Sequence, residues 1–316
     1  MGVPQLNQYL HRHSPNGMQE LSLNDLRGKK VVVDTSIYLY KYLSEETLVE
    51  SFYLMVTKFR QFGIVPLFVF DGRPPPEKYE EISARKQRKD KAHREYVELL
   101  PQYDRERCGR KKCELRVALD NLRRQFVKVT YEDIDTIKDL LRAYGVSYCV
   151  ADGEADSLCA AIVSSGKAYA CLSEDMDMFV YGCDRVLRYL SLLHSTVVEY
   201  DTSRILADLG VTFEEFRHIC IITGCDYVKK HQRSLHSTMV LFDRYREDDK
   251  GAPTFYEWVM RNTAYFDASV DFEAVERLFD VGGKADSAAA SVQILNSSPN
   301  TESLAGILAQ HGFVFL

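Results

Sequence analysis

The sequence predicts an α/β protein: a central, mostly parallel sheet flanked by helices, with a helical insertion after the second strand and a helical C-terminal region. Three observations carry this. Short apolar, β-branched runs at 31–33 and 65–70 alternate with a stretch of helical apolar spacing at 48–62, the pattern of a βαβ unit. Strand after strand runs into an acid, as happens when sites form at the carboxyl ends of parallel strands. Leu119, Leu122, Phe126 and Val129, at the end of a basic segment over 85–128, fit one helix with an apolar stripe.

Taken in order, residues 4–27 read as a helix and a connecting loop. The run 31–33 is a buried strand leading straight into Asp34. Leu48, Phe52, Met55, Val56, Phe59 and Phe62 lie on one helical face, and Gly63 ends that helix. The second strand, 65–70, is followed directly by Asp71, and the crossover between the two is long enough for a parallel pair. Pro74, Pro75 and Pro76 stop regular structure. The basic segment then runs to about Lys128, broken near Pro101 and Gly109, and its Leu119, Leu122, Phe126 and Val129 fit one helix with an apolar stripe. Thr130 caps the next helix, with Ile134, Ile137, Leu140 and Leu141 inward and Gly145 at its end. Strands follow at 146–150, 168–172, 186–190 and 196–200. Residues 201–222 read as helical. The remainder is helical, with a Ser/Asn-rich break at 296–300 and a short final helix and apolar tail at 303–316.

Composition bounds the class. A hydrophobic content of 46% supports a real core, and no apolar run approaches the roughly 18 residues of a membrane span. The N-terminus shows no signal-peptide or myristoylation pattern, so a secreted or membrane location is not expected. Eight cysteines without a C-x-x-C pair read as free thiols in a reducing compartment. Net charge is −6, yet residues 85–128 hold 15 Lys/Arg against 7 Asp/Glu. That asymmetry fits either polyanion contact or a solvated helix face.

The chemistry concentrates in Glu154-Ala-Asp156 and Asp175-Met-Asp177. Acids this close repel unless protonated or neutralised by cations. Carboxylates in such numbers suit hard, oxygen-preferring ions such as Mg²⁺ or Mn²⁺. Asp34 and Asp71, at the ends of the first two strands, would converge on the same sheet edge. No Ser/His or Cys/His arrangement competes as a nucleophilic site.

Five stretches carry a family resemblance: Val33-Asp34-Thr-Ser, Val69-Phe-Asp71-Gly-Arg-Pro-Pro-Pro, Gly153-Glu154-Ala-Asp156-Ser-Leu-Cys-Ala-Ala161, Ser173-Glu-Asp175-Met-Asp177 and Thr223-Gly-Cys-Asp226-Tyr227. In that order they resemble the flap endonuclease branch of the XPG-type structure-specific 5′ nuclease superfamily. The resemblance runs to about residue 228, and more faintly beyond. It implies a PIN-like nuclease core over 1–228, a helical arch or gateway insertion over about 72–130, and a helical DNA-binding region over 229–316. It also implies seven metal-binding, catalytic acids: Asp34, Asp71, Glu154, Asp156, Asp175, Asp177 and Asp226. The implied cofactor is two Mg²⁺ ions, with Mn²⁺ as a substitute, acting by two-metal phosphodiester hydrolysis. Lys78 and Arg85, seven and fourteen residues after Asp71, match the cations that contact the scissile phosphate. Arg88 and Arg124 are further phosphate contacts. Tyr40 matches an aromatic on which an unpaired base stacks, and Gly2 a processed N-terminus that approaches DNA. The implied partner is branched or flapped DNA, in replication, repair or recombination, with a location in the nucleus or another site of DNA replication; a monomer is assumed.

The chain also departs from the family. Asp156 stands where the family has Glu, one methylene longer. After Asp226 a Gly-x-Gly-Pro turn that binds duplex backbone and potassium is expected; here Lys229, Lys230, His231 and Arg233 offer charge without glycine. No sliding-clamp peptide pattern follows Gly312-Phe313, so clamp recruitment by that motif is not expected. The same superfamily includes 5′→3′ exonucleases and four-way-junction resolvases, and a non-catalytic DNA-binding scaffold is the reading from another class.

Overall fold

A computed structural model describes residues 2–228, 234–248, 254–263, 271–282 and 284–313. In chain order the elements begin with α1 (Leu6–His13), β1 (Met18–Ser22), β2 (Lys30–Asp34), α2 (Thr35–Ser44), α3 (Leu48–Gln61) and β3 (Val65–Phe70). Two long helices, α4 (Tyr79–Arg105) and α5 (Gly109–Gln125), lead to α6 (Tyr131–Tyr144). Then come β4 (Ser147–Val150), α7 (Ala155–Ser164), β5 (Ala170–Leu172), α8 (Asp177–Val180), β6 (Arg185–Ser191) and β7 (Thr196–Asp201). The helices α9 (Thr202–Leu209), α10 (Phe213–Thr223), α11 (Leu235–Glu247), α12 (Phe255–Asn262), α13 (Phe272–Leu278), α14 (Lys284–Ser291) and α15 (Thr301–Gln310) complete the chain.

These elements form two compact units. The first comprises Met1–Thr35, Thr57–Arg73 and Val146–Asn296; the second comprises Ser36–Val56, Pro74–Gly145 and Ser297–Leu316. The described helices α11 to α14 therefore pack within the same unit as the sheet.

The first unit is built on a seven-stranded sheet of order β1-β7-β6-β5-β2-β3-β4. The strands β6, β5, β2, β3 and β4 are mutually parallel, and β7 and β1 add antiparallel at one side. Central parallel strands are covered on both faces, which is why β2 and β3 read as unbroken apolar runs. Val32, Val33, Phe68 and Val69 are fully buried. The helix α7 is apolar and buried from Leu158 to Val163, packing against β2, β3, β5 and α14.

The stretch 4–27, expected as helix and loop, contains the edge strand β1. Met18, Gln19, Glu20, Leu21 and Ser22 lack both β-branched residues and a fully buried face, so the strand exists through its register with β7 and left no local signal. The helical stretch expected over 201–222 forms two helices, because Gly210 takes a left-handed conformation (φ 64°) and closes α9 before Thr212 caps α10.

The second unit contains α4 and α5, joined by a three-residue connection and packed along each other. Their seam is thin: Ala92 and Leu119 are the residues the two helices bury, and His93 and Tyr96 meet Phe126 edge-on at 4.9 and 5.4 Å. The break expected near Pro101 does not occur there; α4 runs through it and ends one turn later at Arg105. A proline near a helix end costs one backbone hydrogen bond, and the remaining turn closes through Gln102 and Tyr103. Thr130 caps α6 as expected, in a reciprocal capping box with Asp133. Thr130→Ala is expected to lower unfolding stability by about 1 kcal/mol, read from urea denaturation; an unchanged midpoint would show that the cap contributes nothing.

Candidate active site

Three neighbouring parallel strands of the first unit, β5, β2 and β3, end at one edge of the sheet. Asp34 is the last residue of β2, Asp71 directly follows β3, and Asp175 and Asp177 follow β5. The chain leaving β4, next to β3, enters α7 with Glu154 as N-cap and Asp156 in the first turn. Convergence of these acids thus follows from strand order alone.

Hydrogen bonds hold the acids in place. The Ser173 hydroxyl donates to Asp34 Oδ2 (2.9 Å) and accepts from the Asp175 amide (3.1 Å). The Asp177 amide donates in turn to Asp175 Oδ1 (3.1 Å). All four residues are buried, so each bond is made where water competes poorly. On the other side, the Ala155 amide donates to Asp71 Oδ1 (2.7 Å). Asp71, from a different strand, satisfies an orphan donor of the α7 N-terminus that Glu154, the N-cap itself, leaves open. Backbone bonds from Gly72 to the Gly153 carbonyl (2.7 Å) and from Arg73 to the Asp152 carbonyl tie the two loops together. A Cβ on Gly72 would stand 2.0 Å from the Ala151 carbonyl oxygen, so only glycine permits this approach.

The electrostatics match the crowding. The Asp156 carboxyl is pushed well above the usual carboxylate range, first by burial and then by Asp34, Asp175, Asp71 and Glu154. Glu154 Oε2 accepts from the Tyr227 hydroxyl at 2.5 Å, and the Tyr181 and Tyr227 hydroxyls are 3.0 Å apart. Because Tyr227 spends its only proton on Glu154, Tyr181 must be the donor to Tyr227. Burial raises both phenols, with Glu154 adding to it at Tyr227, so both stay protonated donors. Tyr227→Phe is expected to raise Glu154 mobility and lower any metal-dependent turnover about tenfold, since outer-shell partners orient the groups that ligate. Wild-type turnover and metal response in that variant would remove Tyr227 from the site.

Gly2 lies directly against two of the acids. A Cβ built there would fall 2.4 Å from Asp175 Oδ1 and 2.5 Å from Asp177 Oδ1, and its φ is +77°. Asp226 follows α10 and Gly224 beside Cys225, whose thiol is pushed up to about 12, chiefly by burial and then by Asp177, with Asp226 also contributing. Among the described residues no three His, Cys, Asp or Glu side chains come together closely enough to hold a metal ion. The carboxylates are spread along the sheet edge and held by protein donors. Their all-oxygen, anionic character, and the unrelieved repulsion felt by Asp156, fit hard divalent cations.

In the second unit, Lys78 ends a 3₁₀ turn immediately before α4. Arg85 and Arg88 both reach Glu81 Oε1, at 3.1 and 2.8 Å. Partly exposed pairs of this kind contribute only about 0.3–0.5 kcal/mol. Tyr40 is 44% exposed and carries the Lys89 ammonium 4.6 Å from its ring centroid; that ammonium also donates to the Val127 carbonyl (2.9 Å). Arg124 is exposed on α5. Lys229, Lys230, His231 and Arg233 lie outside the described residues. Sequence reasoning passed over Ser173, Tyr227, Tyr181 and Lys89. The first two stand inside the quoted motifs, one residue from an acid, and that adjacency was the available signal.

A row of acids at the carboxyl ends of parallel strands places this chain among α/β proteins with an acidic sheet edge. The XPG N-terminal domain matches residues 1–92 and the XPG I-region matches residues 145–226, with the acids Asp34, Asp71, Glu154, Asp156, Asp175, Asp177 and Asp226 all inside the matched stretches. The chain belongs to the XPG family. It is 32% identical over 241 residues to flap endonuclease 1 of Entamoeba histolytica, covering 70% of this chain and 61% of that protein. The chain therefore spans about 61% of the length of the curated relatives it matches. The fold is shared with the catalytic core of Rad2 in complex with DNA substrate (TM-score 0.70, 20% identity, covering 98% of this chain and 95% of that one). It is shared too with flap endonuclease-1 from Methanococcus jannaschii (TM-score 0.62, 20% identity, covering 93% and 90%).

Proposed function

We propose that this protein is a structure-specific nuclease that hydrolyses phosphodiester bonds in flapped or branched DNA. The observation that carries this reading is the acid edge: carboxylates from β2, β3, β5 and the α7 N-terminus in one electrostatic field, as seen at Asp156. The names of its relatives, flap endonuclease 1, supply the substrate class.

In this reading Asp34, Asp71, Glu154, Asp156, Asp175, Asp177 and Asp226 hold two Mg²⁺ ions, with Mn²⁺ as a substitute. When bound, such ions neutralise the phosphate, activate water and stabilise the departing oxygen. The chain's own residues do the rest. Ser173 keeps Asp34 and Asp175 in fixed orientation, and Tyr227 does the same for Glu154. Lys78 and Arg85 contact the substrate phosphate, and Arg88 and Arg124 add backbone contacts. Tyr40 offers a ring for an unpaired base, with Lys89 beside it. Lys229, Lys230 and Arg233 are assigned to the duplex backbone by their charge. Such a nuclease works in DNA replication, repair or recombination, and so in the nucleus or another site of DNA replication. No helix among the described residues is long and apolar enough to cross a membrane.

The test is a panel of flap, nicked, gapped and four-way-junction DNA substrates, with Mg²⁺ or Mn²⁺, at several salt concentrations. Preferred cleavage of the flap supports this reading. Preference for a nick or gap assigns exonuclease activity instead, and preference for the junction assigns resolvase activity. Cleavage of none of the four, with either metal, overturns the catalytic reading.

A further inference from the structure

A groove of about 430 Å³ opens at the opposite edge of the first unit's sheet, where β2, β5 and β6 begin. Along β2 it is separated from the acids by the strand's length, roughly 13 Å at about 3.3 Å per residue. We propose that this groove binds a small phosphate-bearing anion.

Its lining is cationic: Lys29, Lys30, Lys167 and Arg185 face it, against the single carboxylate of Asp184, which is exposed. The four cations are not equivalent. The Lys167 ammonium gives its donors to the Ala289, Ala290 and Val292 carbonyls at the end of α14, so it contributes charge but no hydrogen bond. Arg185 approaches Asp201 no closer than 3.9 Å and lies 5.0 Å from the Tyr169 ring centroid. Lys29 stands 4.7 Å from the same ring. Neither Lys29 nor Lys30 has a carboxylate at ion-pair distance among the described residues. The ring between Lys29 and Arg185 is held by its own hydroxyl, which donates to Glu199 at 2.5 Å. Glu199 is thereby engaged, and Asp201 is engaged in capping α9.

What remains are two lysine ammoniums with donors to give, beside a guanidinium that shares its charge with Asp201, in an open groove. The complement is a compact anion able to accept several charge-assisted hydrogen bonds at once, as a phosphate group does. The volume falls in the range of small-ligand sites, roughly 300–1,000 Å³. A Cβ on Gly28 or Gly166 would meet nothing within 4 Å, so the walls at these positions are open to an incoming group.

The test uses the full chain without DNA or divalent metal, so its outcome is independent of the nuclease reading. Inorganic phosphate, pyrophosphate and adenosine 5′-monophosphate are titrated by calorimetry. Saturable one-site binding of pyrophosphate is expected, weakened roughly tenfold or more in Lys29→Ala/Lys30→Ala. Lys29→Arg/Lys30→Arg, which keeps charge and fold, should retain it, as should Lys78→Ala/Arg85→Ala. Tighter binding of the nucleotide than of inorganic phosphate would identify a nucleotide as the source of the phosphate; equal binding would identify the phosphate group alone. Absence of saturable binding by all three probes overturns the proposal. So does undiminished affinity in the alanine pair, or loss of binding in Lys78→Ala/Arg85→Ala.

Discussion

Asp175→Asn is expected to lower cleavage of flapped DNA by about a thousandfold or more, while leaving the fold intact. The substitution is nearly isosteric. Asparagine can still present Oδ1 to the Asp177 amide, and the Asp175 backbone amide still reaches the Ser173 hydroxyl. What disappears is one negative charge from a field in which Asp156 already feels Asp34, Asp175, Asp71 and Glu154. Without metal, removing a repelling carboxylate relieves strain, so the variant should melt at the same temperature as the wild type or higher. With Mg²⁺, the wild type should gain more stability than the variant, because binding to the native state stabilises it by mass action. Kinetics and melting curves with and without Mg²⁺ check both halves. Wild-type turnover in Asp175→Asn would end the catalytic reading.

Gly2→Ala is expected to cost on the order of 1–2 kcal/mol of stability and to slow turnover by about ten- to a hundredfold. Two costs add here. The backbone at φ +77° is one that a side chain rarely adopts, and the new methyl would meet Asp175 Oδ1 at 2.4 Å and Asp177 Oδ1 at 2.5 Å. The carboxylates must shift or the N-terminal segment must lift away, and displacement of a reacting group by about 1 Å is enough for such a loss. Denaturant unfolding and steady-state kinetics read the two effects separately. Lost stability with unchanged turnover would mean that Gly2 packs against the acids without helping to place them.

Much of the core is legible in the sequence. A buried parallel strand must be apolar on both faces, so 31–33 and 65–70 announced themselves, as did the Thr130 cap and the Gly145 stop. Strands whose partners decide them were silent. Met18–Ser22 is a strand because β7 lies beside it, and its own residues carry no β signal. Pro101 misled in the opposite direction: its local rule says break, but near a helix end the cost is small enough for α4 to run on.

The same division runs through the site. The sequence by itself determined which residues carry charge, and that Asp34, Asp71 and Asp175 follow strands, because strands and their ends are written locally; the strand order that brings them to one edge is tertiary. Only the tertiary structure decided what holds those acids there. Ser173 bridges Asp34 and Asp175 across 139 positions of chain, Asp71 caps a helix 84 positions away, and Tyr227 reaches Glu154 across 73. Hydrogen bonds between residues so far apart leave no periodicity behind, since they depend on how strands are ordered in space and not on any spacing along the chain.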